Sequence, residues 1–209
     1  MPVTIDGTTG ITTPAENTSA LTVGSITGIL KATSGVVSQA VAGTDYLTST
    51  SGGAITLATA QTASGTAVDF TSIPSWAKRI TVMFDAISPN ANGNNLLIRI
   101  GSGSLTTTGY YSVGSSYRNG GNLTEGSTST SGYLVFTNTD GSSTSLYGQM
   151  ILTKISGNRW VACHNAVSSS LWVLSGTGSV LLSGNLDRLS ALWSSGASFD
   201  AGTINISYE

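Results

Sequence analysis

The chain has 209 residues, room for one large or two small domains. Asp, Glu, Lys and Arg make up only 9% of it and the net charge is −2, while mean hydropathy is +0.17, which excludes the low-hydropathy, high-charge profile of a disordered chain. The 8 Lys and Arg are scattered singly apart from Lys78-Arg79, so no basic stripe tracks a phosphate backbone, and no apolar run approaches the ~20 residues that span a bilayer; neither nucleic acid nor membrane insertion is expected.

Residues 1–49 hold isolated apolar side chains, among them Val3, Ile5, Ile11, Leu21, Val23 and Ile26, set between Gly, Thr and Pro. Only brief strands of about three to five residues fit between such punctuators. Gly24 to Leu47 alternates short apolar pulses with Gly, Ser and Thr, and no pulse is long enough for a helix or a core. Ordering this segment costs about 1–2 kcal/mol of backbone entropy per residue. Its sparse side chains offset that only against copies of themselves or another body, so the segment reads as an extended, intertwined shaft. Residues 50–66, Thr-Ser-Thr-Ser-Gly-Gly-Ala through Ala-Ser-Gly-Thr, have the composition of a linker. The opening Met-Pro-Val-Thr-Ile-Asp lacks the charged and apolar regions of a secretory signal, so synthesis in a cytoplasm is expected.

From residue 67 the texture changes. Ile80, Val82, Phe84 and Ala86 alternate with Thr81, Met83 and Asp85, the two-residue period of a half-buried strand. Further strands are expected over 96–100, 132–136, 146–155, 160–166, 171–174, 180–182, 188–193 and 203–208, joined by turn-formers such as Pro89-Asn-Ala-Asn-Gly-Asn-Asn95. No segment carries a sustained helical stripe. The predicted fold is all-β: an extended, intertwined N-terminal shaft with its linker over 1–66, then an antiparallel, jelly-roll-like β-sandwich head over 67–209. Ile73 and Trp76 are expected to plug one end of the head, and Phe199 to Glu209 to be tied into a sheet.

Catalytic chemistry finds no constellation. Cys163 is read as an inert buried thiol. His164, the single histidine, falls on the opposite strand face and cannot form a Cys–His couple with it. One His and one Cys make no ordinary zinc site, so no cofactor or metal is expected. Asp140, Asp187 and Asp200 are the candidates for a pair of glycosidase carboxylates. Each has a structural role instead, as a turn, an ion pair with Arg188 and a strand entry respectively. The chain is not expected to be an enzyme.

Binding has better support. Residues 105–131 read as a long, polar, irregular excursion, and loops of that length are usually functional or disordered. It holds Tyr110, Tyr111, Tyr117, Arg118, Asn119 and Asn122 among Ser and Gly, the mixture of rigid amphipathic rings and adaptable hydrogen-bonders that antibody paratopes use. These six are the predicted receptor-binding residues. Trp172 and Trp193 are weaker candidates.

Two groups of residues resemble those of bacteriophage tail fibres and receptor-binding tips. The first is Gly28-Ile-Leu-Lys-Ala-Thr-Ser-Gly-Val-Val-Ser-Gln-Ala-Val-Ala-Gly-Thr-Asp-Tyr46, similar to segments that precede fibre C-terminal domains. The second comprises Phe70 to Phe84, Gly184-Asn-Leu-Asp-Arg188 and Phe199 to Glu209, similar to such a domain itself. The resemblance implies a homotrimer in a virion, assembled in the host cytoplasm and attached to other tail or baseplate proteins through its N-terminal region. It also implies non-covalent recognition of a bacterial surface glycan or protein by the head. The alternative is a structural virion component, such as a capsid decoration, collar or head fibre, with no receptor.

Overall fold

The computed structural model describes residues 28–34, 36–42, 44–46, 55–118, 123–137, 142 and 144–209. The chain divides into two units, Met1–Tyr46 and Leu47–Glu209. The described part of the first is a hairpin in which β1 (Leu30–Thr33) pairs antiparallel with β2 (Val36–Gln39). Its ends are held by polar contacts: Lys31 Nζ lies 2.8 Å from Asp45 Oδ2, and the Val41 amide donates to the same oxygen at 2.7 Å. The Lys31 ammonium and that amide hold the Asp45 carboxyl below the usual carboxylate range. Ile29, Leu30, Val36, Val37 and Val41 are all exposed. A two-stranded hairpin with no buried face is marginal by itself.

The second unit is all-β and antiparallel. Its strands are β3 (Thr56–Leu57), β4 (Gln61–Thr62), β5 (Ala67–Phe70), β6 (Arg79–Pro89), β7 (Leu96–Ser102), β8 (Ser104–Leu105), β9 (Tyr111–Arg118), β10 (Leu123–Ser129), β11 (Tyr133–Phe136), β12 (Leu146–Ser156), β13 (Arg159–Ser168), β14 (Trp172–Leu181), β15 (Arg188–Trp193) and β16 (Phe199–Tyr208). A 9-stranded sheet runs β10-β9-β14-β13-β12-β6-β16-β3, with β4 also on β16. A 5-stranded sheet runs β11-β7-β15-β5, with β8 on β7. Side chains from both sheets meet in one continuous core. The large sheet contributes Ile80, Val82, Phe84, Met150, Leu152, Trp160, Leu174 and Ile206; the small one contributes Val68, Phe70, Ile98, Ile100, Leu189 and Trp193. Burying each such aliphatic side chain contributes about 1.5–3 kcal/mol. Ile73 is buried, and Trp76 packs against the core with its ring 5.5 Å from that of Tyr208. The amides of Lys78 and Arg79 both donate to the Glu209 carbonyl, at 2.7 and 3.0 Å, which fastens the last strand to β6.

Three expectations are corrected. Residues 55–66 are not linker: β3 and β4 pair with β16, and the Ala63 amide donates to the Gly202 carbonyl at 2.9 Å. The supposed irregular excursion over 105–131 is mostly a hairpin of β9 and β10. Its pattern is inside out, with Ser112, Gly114 and Ser116 inward and Tyr111, Val113 and Tyr117 outward. The cause is β11, which lies directly beneath: Ser112 Oγ accepts the Leu134 amide at 2.9 Å, and Ser116 Oγ lies 3.2 Å from Thr137 Oγ1. Finally, 171–174 and 180–182 are the two ends of one strand, β14. Its Gly-rich middle interrupts the apolar pattern because a Cβ at Gly176 would meet His164 Cε1 and the Val113 carbonyl oxygen, each at 2.4 Å. Glycine is required there by close packing.

Candidate functional site

On the small sheet three polar side chains align across neighbouring strands. Asp69 of β5 stands opposite Ser190 of β15, and Ser190 stands opposite Arg99 of β7. The next outward row is apolar: Ala67, Leu192 and Leu97. These two rows floor a groove of about 520 Å³. Ser131 and the turn Ser194-Ser195-Gly196 add hydroxyls and a wall. Ser195 and Gly196 both take left-handed backbone (φ 59° and 77°), which folds the chain sharply after β15. The Ser194 hydroxyl accepts the Asn95 amide at 2.8 Å, pinning that turn to the start of β7.

Two strand spacings of about 4.8 Å put roughly 10 Å between Asp69 and Arg99, and they form no ion pair with each other. Arg99 Nε donates to the Ser131 carbonyl at 2.7 Å, which orients the guanidinium. Its terminal nitrogens make no hydrogen bond among the described residues. The groove thus offers a carboxylate acceptor, a guanidinium donor and hydroxyls that do both, over an apolar strip. That combination suits a polyhydroxylated ligand, whose hydroxyls donate and accept while its C–H face needs apolar cover.

The six residues expected to bind a receptor do not form one cluster. Tyr110 is corrected to a core residue: it is 1% exposed, and its hydroxyl accepts the Ile100 amide at 2.9 Å and lies 3.2 Å from the Ile100 carbonyl. Burial pushes its phenol up to about 12. Tyr111 and Tyr117 are exposed on the same face of β9 but at opposite ends, about 20 Å apart at a rise of ~3.4 Å per residue. Arg118 stands over the Trp172 ring, 5.7 Å from its centroid, in a cation–π contact. Tyr117 and Arg118 line a shallow depression with Val167, Leu171 and Val173. Asn119 and Asn122 lie outside the described residues. Trp172 and Trp193 are buried.

Cys163 is corrected as well. It is exposed, because the register of β13 sends Trp160, Ala162, His164 and Ala166 inward and Cys163 outward. His164 is buried, with neither ring nitrogen hydrogen-bonded. Burial pushes the imidazole pKa down to about 4, opposed only by the weak polar contact of the Val135 backbone. The two side chains occupy opposite faces, so no thiolate–imidazole couple exists. Asp187 is held by Arg188, Nε to Oδ1 at 2.8 Å, and by the Gly103 amide, which together keep its carboxyl below the usual range. Asp200 accepts a hydrogen bond from the Ser88 hydroxyl. Asp140 lies outside the described residues. Among the described residues no group of His, Cys, Asp and Glu is arranged to hold a metal ion.

Sequence reasoning missed Asp69, Ser190 and Arg99. The available signal was Arg99 interrupting Leu96-Leu-Ile-Arg-Ile100, a charge on the outward face of an otherwise apolar strand. Comparison with protein-family models, with characterised proteins and with solved structures finds no match.

Proposed function

We propose that the chain is a bacteriophage virion fibre protein, a homotrimer whose β-sandwich head binds a saccharide of the host cell surface without cleaving it. The N-terminal unit serves as shaft and as attachment to other virion proteins. The observation that carries the reading is the Asp69–Ser190–Arg99 row over an apolar strip, in a groove open to solvent. Two antiparallel sheets sharing one core support a sandwich head. The exposed apolar side chains of the β1–β2 hairpin support a shaft completed by other copies. Such a groove grips its ligand weakly, and three copies on one particle combine weak grips into a firm attachment by avidity.

The test is adsorption. Purified protein should bind host cells and block attachment of the phage. Losing one charge-assisted hydrogen bond costs about 1.5–3 kcal/mol, so Arg99→Ala or Asp69→Ala should weaken binding roughly ten- to a hundredfold per site. A reducing-end assay on host polysaccharide should show no new chain ends. Cell binding unchanged in both variants would remove the groove from the account, and an absence of binding by the wild type would leave the structural-component reading.

A further inference from the structure

Over four strands the outer face of the large sheet carries four uncharged rows, with charge at its two ends, where Arg159 donates to Ser179 Oγ at 3.2 Å and Arg118 lies beside Tyr117 and Val173. Taken across β12, β13, β14 and β9, successive rows read Tyr147–Val167–Val173–Tyr117, Gln149–Asn165–Ser175–Ser115, Ile151–Cys163–Thr177–Val113 and Thr153–Val161–Ser179–Tyr111. The middle two rows continue uncharged onto β6 and β16 through Met83 and Asn205, and through Thr81 and Ser207. Aromatic and branched apolar side chains stand in solvent here, Tyr111 at 79% and Val173 at 55% exposure. A surface patch of this kind on a soluble chain often marks an interaction site.

We propose that this face is the surface on which the heads of neighbouring copies pack, with Cys163 near its centre. The proposal goes beyond the receptor reading and shares with it only the oligomer. Three properties select a second copy over another partner. The centre of the face is uncharged and rich in apolar side chains while Arg118 and Arg159 stand at its opposite ends, the charge-depleted core and polar rim of an interface. Its polar row consists of amides and hydroxyls, which both donate and accept, so groups of the same kind on neighbouring copies satisfy it. Strands ~4.8 Å apart with a rise of ~3.4 Å per residue give the face a footprint of roughly 600 Å², the lower end of the ~600–1,000 Å² each partner contributes to a stable complex. Apolar and polar rows alternate along the strands, which fixes the register in which copies meet.

The single thiol supplies the readout. In the full-length wild-type protein, light scattering should report an oligomer in which Cys163 reacts with a maleimide at least about tenfold more slowly than in urea, since labelling then waits on opening of the interface. Val173→Asp and Asn165→Asp place a carboxylate on the exposed face without touching the core. Either should bring labelling to the free-thiol rate, with far-UV circular dichroism unchanged, even where the N-terminal units still hold the chains together. Wild-type Cys163 reacting at the free-thiol rate in the oligomer would overturn the proposal. So would a monomeric wild type, or protection that appears only when host envelope or other virion proteins are added, which would assign the face to them. Cell adsorption, measured on the same samples, reports separately on the groove.

Discussion

Acid should destabilise this fold through one side chain. His164 is buried between Met150 and Gly176 in register, with both nitrogens unpartnered. Its pKa falls from 6.5 to about 4 by burial, with no charged neighbour contributing. Below pH 6.5 the unfolded chain therefore takes up a proton that the folded chain refuses. Stability rises with pH between about 4 and 6.5, is fully present above that window and is lost as pH falls through it. Between pH 7.5 and pH 5.0 the loss from this single group is about 2 kcal/mol. Asp45 and Asp187 act oppositely placed: their folded pKa values lie below 3.8, so their contribution is present through the histidine window and is lost only at lower pH. Urea unfolding at one fixed protein concentration, at pH 5.0 and 7.5, measures the difference for wild type and for His164→Met. The apolar replacement should abolish the histidine share of the slope and leave stability at pH 7.5 unchanged or raised, because it removes two unsatisfied nitrogens. A wild type losing no more than the variant on acidification, or a histidine resonance titrating near 6.5, would refute the assignment.

Other substitutions probe the packing behind the site. Gly176→Ala puts a methyl 2.4 Å from both His164 Cε1 and the Val113 carbonyl oxygen; it should cost about 3 kcal/mol or more of unfolding free energy, and combination with His164→Ala should recover only part because the backbone clash persists. Tyr110→Phe strips the Ile100 amide and carbonyl of their shared phenol and should cost about 1–3 kcal/mol by chemical denaturation, with cell binding unchanged, since that tyrosine is core. Tyr133→Phe removes the 3.0 Å hydrogen bond to the Trp160 carbonyl and should cost about 1 kcal/mol. Ser195→Gly relieves a left-handed serine in the groove wall (φ 59°) and should raise thermal stability slightly while loosening saccharide binding.

What the sequence revealed follows from where its apolar residues point. Over 80–84, 146–152 and 160–166 alternate positions face the core with period two, as expected; Ala86, expected to share the inward face, instead takes left-handed backbone (φ 53°) at a register shift, and Ile87 turns inward in its place. The β9–β10 hairpin was concealed because its inward positions are Ser and Gly, so small side chains there look like loop composition. The groove was concealed for another reason. Asp69, Ser190 and Arg99 come from three strands distant in sequence, and only register brings them into one row. Cys163 was misjudged because the burial tendency of a free thiol is weaker than the phase of a strand whose tryptophan and histidine take the inward side.

The inverted hairpin and the exposed apolar rows of the outer face have one physical origin. β11 lies so close beneath β9 and β14 that Gly114, Gly178 and Ser112 must face it, and the large side chains of those strands can only point outward. That arrangement exposes apolar surface on a single chain. If half of the roughly 600 Å² footprint is apolar on each of two chains, covering it yields about 15 kcal/mol at ~25 cal/mol per Å², the same order as the ~4–15 kcal/mol that association costs. Assembly through this face is thus favourable by a small difference between large terms. One buried carboxylate adds several kcal/mol of desolvation, enough to reverse the sign, which is why a single Asp at position 173 suffices as the probe.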